Sequence, residues 1–406
     1  MILSHSPTSM IETLDDLDPK GKLIGIRVDI NSPLIDGDLS DDTRLRSHLE
    51  TLYELVSAGA RIVLMAHQGR PGEDSCISLQ PHALRLADIL DTPVHHVENT
   101  HSKKALDKIK QLPHGEILVL ENTRFCPEEY IEMEPKDAAT TKFVSALAPH
   151  FDAYVNDAFG SAHRSHPSLV GFPYLLPSYA GRLLEKELKV LGTIHELPKP
   201  RVYFLAGKKT IDSLAVAESV LKHDIADEVL AAGLFGNFLL HCDGVNLGAS
   251  SMDILRTNGI LEYLDQGKSL LANYGDQIKL PIDVAIDSNG RQEVLVSDLP
   301  AEGPIFDIGS QTITRFSSSL ESASTTILNG PAGLAEVSHF SQGTIHVYDA
   351  ATQSDTSIVG GGDTIALLDQ FGIRNFSHIS TGGGAAMRLL SGDSLPAVAA
   401  LALRNS

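Results

Sequence analysis

The chain has 406 residues, of which 42% are hydrophobic and 21% are charged, a composition typical of soluble globular proteins. This length is sufficient for two domains, each with its own core. The formal net charge of −20 argues against nucleic acid as a partner, because contacts to a phosphate backbone need clustered lysine and arginine.

The sequence contains no signal for membranes or for a disulfide framework. The N-terminal segment lacks a basic region followed by an apolar run, and nowhere do about 18 apolar residues follow one another. Cys76, Cys126 and Cys242 stand far apart without a CxxC pair, which indicates reduced structural thiols. We therefore predict a cytoplasmic protein that binds neither membranes nor nucleic acid, and we expect a monomer.

The first half alternates apolar strand-like runs with amphipathic segments of helical length, which predicts a parallel sheet covered by helices. The predicted strands are Leu23 to Asp29, Ile62 to Ala66, Ile117 to Glu121 and Ala153 to Asp157. Each run ends in polar residues, and ligands bind at the carboxyl ends of strands in open α/β sheets. We expect the following side chains to converge on one edge: Asp29, Asn31, His67, Arg70, Arg124, Arg164 and His166.

Arg44 belongs to the same predicted site. It lies in the segment DDTRLR, whose acidic pair and threonine predict an N-cap for a helix through Leu45 to Ser57. The arginines of this half have two interpretations: surface ion pairs with the many acids, or a site for an anion. Their recurrence at strand ends favours the anion site. His67, His163 and His166 could also form a metal cluster, but neighbouring arginines would repel a cation.

A helix is predicted between Tyr179 and Pro200, where leucines recur at helical spacing until a Pro-Lys-Pro break. We place the N-terminal domain at residues 1–180, the interdomain helix at 181–198 and the C-terminal domain at 199–406. The apolar tail at 394–406 is expected to dock on the N-terminal domain. The predicted fold class is α/β, with two doubly wound, Rossmann-like parallel-sheet domains joined by a helix into a bilobal molecule with a hinge.

The second half repeats the strand-and-turn pattern, in runs such as VYFLAGKKT, IKLPIDVAI and TTILNGPAG, and ends its strands in glycine. Two glycine triplets stand out, at Gly360–Gly362 and Gly382–Gly384, each between a strand-like run and a predicted helix. Bare backbone N–H groups at a helix N-terminus favour an anion, so each triplet predicts a phosphate cradle. Asp363 and Thr364, directly behind the first triplet, could hold Mg²⁺ beside bound phosphates. The alternative is two ordinary strand-to-helix turns without a ligand.

These segments resemble the phosphoglycerate kinase family over nearly the whole chain. RVDINSP, DDTRLR, AHQGRP, ENTRF and VNDAFGSAHRSHPS are similar to the family's substrate motifs, and NGPAG, VGGGDT and HISTGGGA are similar to its nucleotide motifs, in the family's order. The resemblance implies a bilobal phosphotransferase with a carboxyl group as acceptor. It would move a phosphoryl group reversibly between the acyl phosphate of 1,3-bisphosphoglycerate and MgADP, giving 3-phosphoglycerate and ATP, in glycolysis and gluconeogenesis.

The resemblance also implies site residues. The phosphoglycerate would be bound on the N-terminal domain by Asp29, Asn31, Arg44, His67, Gln68, Gly69, Arg70, Arg124 and Arg164. MgATP or MgADP would be bound on the other domain by Gly207, Lys209, Gly233, Asn329, Pro331, Glu336, Gly360, Gly361, Gly362, Asp363 and Thr364. Glu336 would lie at the ribose and Asp363 would hold the Mg²⁺. The catalytic residues implied are Arg44, Lys209, Gly362 and Gly384.

Three segments depart from the family's usual pattern. In LAGKKTIDS, Lys209 matches a first lysine while Ser213 stands at the place of a second; AAGLFGN has fewer glycines than usual; and AHQGRP carries Gln68 where leucine is common. Because Ser213 cannot supply a charge, we expect Arg44 and the helix after Gly384 to contribute more of it. Lys208 is the rival of Lys209, and we expect only one of the two to face the site, because successive side chains of an extended segment point to opposite faces.

The residues support phosphoryl transfer independently of the resemblance. An acyl phosphate carries a good leaving group, so transfer needs positioning and charge neutralisation but no protein nucleophile, and no GxSxG elbow occurs. A dehydrogenase would need GxGxxG at the first strand–helix turn, which neither half has. A nucleotide-binding scaffold without transfer activity is the third alternative, and the presence of Arg44, Lys209 and Asp363 together argues against it.

Overall fold

The computed structural model describes residues 11–35 and 38–404, except the side chains of residues 362, 363 and 404. The chain forms two compact units, one containing the described residues of Met1–Gly192 and Ser394–Ser406, the other containing Thr193–Asp393. In the described part of the chain, no helix combines the length and the hydropathy that a membrane crossing requires.

The strands are short and most are fully buried. They are β1 Leu23–Arg27, β2 Leu34–Ile35, β3 Asp38–Leu39, β4 Arg61–Met65, β5 Val94–His96, β6 Ile117–Val119, β7 Ala153–Asn156, β8 Ser178–Ala180, β9 Arg201–Leu205, β10 Glu228–Ala231, β11 Ile278–Lys279, β12 Asp283–Asp287, β13 Arg291–Leu295, β14 Ile305–Ile308, β15 Thr325–Asn329, β16 Thr356–Gly360 and β17 His378–Ser380.

The α-helices follow most of the strands. They are α1 Thr43–Ser47, α2 Leu49–Ser57, α3 Gln80–Leu90, α4 Lys103–Gln111, α5 Pro135–Ala138, α6 Lys142–Leu147, α7 Pro167–Leu175, α8 Arg182–Leu191, α9 Thr210–Lys222, α10 Gly233–Cys242, α11 Ala249–Thr257, α12 Leu264–Tyr274, α13 Ser310–Glu321, α14 Gln342–Ala351, α15 Gly362–Phe371, α16 Gly384–Leu390 and α17 Pro396–Leu401.

The first unit contains a six-stranded sheet in the order β5-β6-β4-β1-β7-β8, and every pair in it is parallel. Its strands are apolar because helices cover both faces of the sheet. On one face Ile24, Ile26 and Leu64 belong to a single buried cluster, and on the other Tyr154 stacks on Phe172 with ring centroids 5.3 Å apart. The four strands predicted from the first half are confirmed, and the order brings the ends of β6, β4, β1 and β7 side by side.

The second unit has a parallel six-stranded sheet in the order β11-β10-β9-β15-β16-β17 and a separate antiparallel sheet in the order β13-β12-β14. The antiparallel sheet was not predicted. The run IKLPIDVAI splits between the two sheets, with β11 before Pro281 and β12 after it. Proline lacks the N–H that a central strand needs, so one continuous strand is impossible here. The prediction of parallel α/β domains is confirmed.

Two predicted helices differ from the structure. The helix predicted over residues 181–198 is wrong in extent: α8 ends at Leu191, where glycine and threonine follow, two residues that favour helices weakly. The helix predicted through Leu45 to Ser57 is two helices, α1 and α2, with His48 between them. The acidic pair before it does bond the helix start, through Oδ1 of Asp41, which accepts from the N–H of Thr43 (2.8 Å); Asp42, at the N-cap position, makes no bond to the helix backbone.

The C-terminal segment belongs to the first unit. Helix α17 packs on α7, and the N–H of Ala397 donates to the carbonyl of Ala162 (3.2 Å). Ala397, Val398 and Leu401 are buried in this contact, so the segment is held by apolar packing as well as by the backbone. The functional assignment of the two units and their precise limits remain predictions.

Candidate functional sites

Polar groups at the carboxyl ends of β1, β4, β6 and β7 gather into one site of the first unit. The Oδ1 of Asn31 accepts from the N–H of Gly69 (2.9 Å), which joins the loops after β1 and β4. The guanidinium of Arg124 reaches the carbonyl of Gly69 at 3.5 Å, so the loop after β6 meets them. The sheet order explains this arrangement, because adjacent parallel strands present their carboxyl ends at the same edge.

Asp29 is a buried carboxylate at the centre of this edge. Its Oδ2 lies 3.2 Å from Nη1 of Arg44 and accepts from the hydroxyl of Ser161 (3.1 Å). Burial by itself would raise the pKa of Asp29, but His67, Arg44 and Arg27 lower it well below its ordinary value. The side chain of Arg44 keeps 30% of its surface exposed. Asp29 therefore holds one end of Arg44 while the guanidinium stays accessible to solvent.

Positive charge accumulates around Arg124. Burial lowers the pKa of Arg124, and the neighbouring guanidiniums of Arg164 and Arg27 lower it further. Within residues 11–35 and 38–404, neither Arg70, Arg124 nor Arg164 forms an ion pair with a carboxylate. An anion bound among these guanidiniums would stabilise the charged form of Arg124, which its positive neighbours disfavour.

Arg27 belongs to this cluster, and the sequence predictions did not include it. It is the last residue of β1 and only 2% exposed. Its Nε donates to the hydroxyl of Ser168 (3.0 Å), its Nη2 lies 3.0 Å from Nδ1 of His67, and its Nη1 bonds the carbonyl of Val28. A signal was available, because an arginine inside the apolar run LIGIRVDI must have a buried partner.

Two histidines complete the edge as neutral side chains. Burial lowers the pKa of His166 to about 3, and Arg164, Arg124 and Arg27 contribute to the same direction. Burial lowers the pKa of His67 to about 3 as well, although Asp29 opposes this shift. Both rings are therefore neutral at pH 7 and can donate or accept hydrogen bonds at the edge of the arginine cluster.

A metal cluster built on these histidines is not supported. Across the described chain, no group of three or more His, Cys, Asp or Glu side chains is arranged to hold a metal ion. Arg27, Arg124 and Arg164 act on both His67 and His166 and would repel a cation, and Asp29 is the one carboxylate among the charges acting on His67. The arrangement is suited to a small anion with more than one negative charge.

Two further buried residues, His48 and Asp157, hold the backbone of Asp29 in place, and the sequence predictions did not include them. His48 is 1% exposed; its Nε2 lies 3.2 Å from the N and 3.1 Å from the O of Asp29, and its Nδ1 lies 2.8 Å from Oδ2 of Asp157. The other oxygen of Asp157 accepts from the N–H groups of Leu183 (2.9 Å) and Leu184 (3.3 Å), at the start of α8. His48 also explains why α1 and α2 are separate helices, because it lies at the junction between them.

In the second unit, glycines at the ends of β9, β10 and β15 let three loops touch. Gly207, Gly233 and Gly330 have φ values of +80°, +58° and +83°. A Cβ on Gly233 would lie 2.7 Å from the N of Gly207, and one on Gly330 would lie 2.3 Å from the O of Ala206. Only glycine permits both this conformation and this approach.

These loops border a cavity of about 210 Å³. Four of the predicted nucleotide residues line it: Gly207, Gly233, Pro331 and Glu336. The rest of its wall is largely apolar and includes Leu234, Ile254 and Leu334. An apolar slot with a few polar groups at its rim is typical of a site for a flat organic ring. Asn329 ends β15, next to the first glycine triplet, rather than in the cavity wall.

Lys208 and Lys209 are both exposed, and the extended segment on which the choice between them was based is not present. Lys209 has φ −83° and ψ 59° as the residue before α9, so the segment is not extended and its side chains do not alternate. The Nζ of Lys208 lies 3.9 Å from Oε1 of Glu336, at the rim of the cavity. Lys209 makes no ion pair with any carboxylate in the described part of the chain. Lys209 is therefore the lysine that remains available to an anion.

Ser213, at the place of the family's second lysine, faces the interior. It lies in α9 with none of its surface exposed, and its hydroxyl has no hydrogen-bond partner among the described residues. The altered loop AAGLFGN opens α10, where Asn237 is buried and lines the cavity. Neither position supplies a positive charge to the edge.

The two glycine triplets precede helices, as predicted. Gly361 (φ +104°) is the residue before α15, and Gly383 (φ +51°) is the residue before α16. Gly362 and Gly384 are the first residues of these helices, and Thr364 in the first turn of α15 is 2% exposed. The side chain of Asp363, the predicted Mg²⁺ ligand, lies outside the described residues.

Comparisons with known proteins agree with this arrangement. A model of the phosphoglycerate kinase family matches residues 14–393. The chain is 50% identical over 395 residues to the phosphoglycerate kinase of Natronomonas pharaonis, covering 97% of this chain and 100% of that protein. It is 49% identical over 395 residues to that of Halobacterium salinarum, covering 96% and 99%.

A solved structure extends the similarity to the fold. The crystal structure of phosphoglycerate kinase from Pyrococcus horikoshii has a TM-score of 0.92 and 35% sequence identity, and the match covers 98% of this chain and 100% of that one. A dehydrogenase fold is not consistent with this match. The chain belongs to the phosphoglycerate kinase family of phosphotransferases.

Proposed function

We propose that the charged edge of the first unit binds phosphoglycerate and that the glycine-lined edge of the second unit binds MgADP or MgATP. The reaction is the reversible transfer of a phosphoryl group from the acyl phosphate of 1,3-bisphosphoglycerate to ADP, a step of glycolysis. The observation that carries this assignment is the group of guanidiniums around Arg124, which form no ion pair with a carboxylate in the described chain, although the buried Glu129 acts on Arg124 and Arg27 from a greater distance. An anion with fixed negative charges is the ligand that relieves their repulsion.

Residues of the first unit would divide the substrate between them. Arg70, Arg124 and Arg164 would bind the phosphate that is not transferred, since guanidiniums bind phosphate oxygens in a bidentate manner. The carboxylate of Asp29 would accept from a hydroxyl of the glycerate and the NH₂ of Asn31 would donate to the substrate. Arg44, held by Asp29 at 3.2 Å, would lie close to the transferred group. His67 and Gly69 would complete the cradle.

Residues of the second unit would bind the nucleotide and the transferred group. Gly207, Gly233 and Pro331 would contact the base through the walls of the cavity, and Glu336 at its rim would accept from the ribose hydroxyls. Gly360 to Thr364 and Gly384, with Asn329, would present backbone N–H groups and side chains to the phosphates. Lys209 would neutralise the equatorial oxygens during transfer.

Mg²⁺ would fit this edge through one carboxylate and the phosphates of the nucleotide. Mg²⁺ usually keeps water and phosphate oxygens as most of its ligands and needs only one or two carboxylates from the protein. Asp363 is the residue that would hold it. Bound there, the ion would neutralise phosphate charge; the protein's own residues bind, orient and exclude water.

The monomeric state and the cytoplasmic location remain proposals. Three free cysteines, two of them buried, fit a reducing compartment. Size-exclusion chromatography with light scattering would test the monomer, since a dimer would elute at twice the mass of the 43.6 kDa chain.

The decisive experiment combines purified protein, MgADP and 1,3-bisphosphoglycerate, with ATP formation as the signal. Arg124→Ala removes charge-assisted bonds of about 1.5 to 3 kcal/mol, so we expect a higher KM for phosphoglycerate and little change for ATP. A shift in the nucleotide KM instead would contradict the assignment of ligands to units. Binding of ATP without any product would favour the scaffold.

A further inference from the structure

Gln68 follows β4 at the charged edge, but its side chain does not face solvent. Only 1% of the residue is exposed, so the amide lies inside the protein, under the proposed phosphoglycerate site. The family resemblance implies that Gln68 binds the substrate directly. Its hydrogen bonds indicate a different role.

The amide of Gln68 is fully occupied by protein partners. Its Oε1 accepts from the N–H of Ser32 (2.9 Å) and lies 3.1 Å from Nε2 of His82. Its Nε2 donates to the carbonyls of Ser32 (3.0 Å) and Ser75 (3.3 Å). Because an amide has two donor hydrogens and one oxygen with two lone pairs, no polar capacity remains for a substrate.

Backbone groups fix the orientation of this amide. Rotating it by half a turn would place its NH₂ against the N–H of Ser32, which can only donate, and its oxygen against the carbonyls of Ser32 and Ser75, which can only accept. The ring of His82 has none of its surface exposed, and burial lowers its pKa to about 4, so it is neutral at pH 7. With its proton on Nε2 the ring donates to Oε1 of Gln68 in this orientation.

The two bonds to Ser32 join the loops after β1 and β4. Ser32 is adjacent to Asn31, whose Oδ1 accepts from the N–H of Gly69, the residue after Gln68. The two loops are therefore cross-linked in both directions, by the side chain of Gln68 and by that of Asn31. Gly69 adopts φ +68° in this contact, and a Cβ there would lie 2.2 Å from the backbone of Ser75.

The same residue also holds the loop after β6. The Oδ1 of Asn122 accepts from the N–H of Gln68 (3.2 Å), and its Nδ2 donates to the carbonyl of Gln68 (2.8 Å). Asn122 precedes Arg124 by two residues and accepts from its N–H (3.0 Å). Gln68 therefore lies in one of the loops that carry the proposed substrate ligands and is bonded to two others, those after β1 and β6.

We propose that Gln68 is a positioning residue for phosphoglycerate: its buried amide locks the loop carrying Asp29 and Asn31 to the loop carrying His67, at the spacing the substrate requires. It acts through the backbone of Ser32 and does not touch the substrate. The proposal rests on the proposed function of this edge, because the loops matter only if phosphoglycerate binds there.

The first test is Gln68→Leu in the full chain. Leucine is the common residue at this place in the family, but in this chain it would leave the buried ring of His82 and the backbone groups of Ser32 and Ser75 without their partner. All four side-chain hydrogen bonds are lost while most of the volume is kept, so we expect the phosphoglycerate KM to rise about tenfold or more, since small misplacements of binding groups weaken substrate binding strongly. The KM for MgATP should stay within about twofold, because the nucleotide groups are on the other unit. A correctly folded variant with an unchanged phosphoglycerate KM would overturn the proposal.

Gln68→Glu provides a readout that a purely structural role would not move. An ionised carboxylate keeps both acceptor bonds but repels the carbonyls of Ser32 and Ser75, whereas a protonated one donates to one of them. Burial raises the pKa of such a carboxyl, so we expect the phosphoglycerate KM to recover as the pH falls from about 8 to about 6. Gln68→Leu should show no such recovery. If Gln68→Leu does not fold, Gln68→Glu alone tests the proposal. A phosphoglycerate KM of Gln68→Glu equal to that of the wild type at every pH would overturn it.

Two control variants distinguish a failure of the positioning proposal from a failure of the function proposed for this edge. Thr141→Val removes a buried hydroxyl of the same unit, bonded to the carbonyl of Ala138 (2.8 Å) at the start of α6, and should lower stability without changing either KM. Arg124→Ala tests the site itself. If it leaves the phosphoglycerate KM unchanged, the function proposed for this edge fails; if it raises the KM and Gln68→Leu does not, only the positioning proposal fails.

Discussion

The carboxyl edges of the two parallel sheets differ in composition: side chains form the edge in the first unit, and backbone forms most of the edge in the second unit. The edge of the first unit consists of buried ionisable side chains, among them Asp29, His67 and Arg124, each less than a tenth exposed. The edge of the second unit consists largely of backbone, brought together at glycines such as Gly207 and Gly330. A small, highly charged ligand needs placed charges, whereas a flat ring and its phosphates need close walls and free N–H groups.

This difference indicates how each edge can be damaged. The first loses function when a side chain is removed, because a charge or a hydrogen bond disappears. The second loses function when a side chain is added, because the backbones are already in contact. Lys209 is the exception on the second edge, since it is a charged side chain among glycines.

The largest effect is expected at that exception. Lys209→Ala should lower kcat by about two to three orders of magnitude at saturating substrates, because an ammonium near the transferred oxygens is lost. Lys208→Ala is the matched control and should leave kcat within about a few-fold, since Lys208 lies at Glu336 on the cavity rim. Steady-state kinetics of both variants would show it. The reverse result would exchange the roles of the two lysines, and equal small losses would remove both from the reaction.

Adding one methyl group should damage the second edge strongly. Gly233→Ala places a Cβ 2.7 Å from the N of Gly207 and 3.0 Å from the O of Pro331, at φ +58°. We expect the nucleotide KM to rise about tenfold and the free energy of unfolding to fall by about 1 to 3 kcal/mol, with little change in the phosphoglycerate KM.

The control for this substitution is Gly372→Ala. Gly372 has a similar φ of +69° at the far end of α15, but a Cβ there would meet no atom within 4 Å. It should cost stability through the backbone conformation alone and leave both KM values unchanged. Equal nucleotide KM values in the two variants would show that the close approach at Gly233 is unimportant for binding.

A pH dependence should distinguish the charged edge from the glycine edge. His166 has a folded pKa of about 3 against an ordinary 6.5, so between these values the unfolded chain binds a proton that the folded chain does not. Stability from His166 is therefore fully present above pH 6.5 and falls by about 1.4 kcal/mol for each unit below it.

Urea unfolding at pH 7 and pH 5 would measure this effect. His166→Asn should lose less stability between the two pH values than the wild type. Bound phosphate favours the protonated ring, so phosphoglycerate should reduce the loss in the wild type. Identical slopes for the two proteins would mean that His166 is not the group responsible.

The smallest expected effect is a decrease in the radius of gyration when both substrates bind. Transfer requires the reacting atoms to approach to about 3 to 3.5 Å, so both substrates together should favour a closed state that excludes water. Small-angle scattering with both substrates should give a smaller radius of gyration than scattering with neither or with one. An unchanged radius in an active sample would contradict closure.

The sequence by itself determined the strands, the polar residues that follow them and the starts of the last helices, because local patterns carry these features. Apolar runs ending in polar residues predicted four strands of the first sheet, and glycine triplets predicted the starts of α15 and α16. These features depend on residues adjacent in sequence: strand periodicity, helix starts and the conformational freedom of glycine. The list of ordered motifs was also sufficient to identify the family.

Tertiary structure decided which side chains share an environment. The partners of Arg27, the contact of His48 with Asp157 and the burial of Gln68 all join residues that are distant in sequence, through the order of strands in the sheet. Spacing alone also misjudged the lysine pair, since the backbone at Lys209 turns into α9. Burial and hydrogen-bond partners are properties of neighbouring strands, and a single sequence does not specify which strands are neighbours.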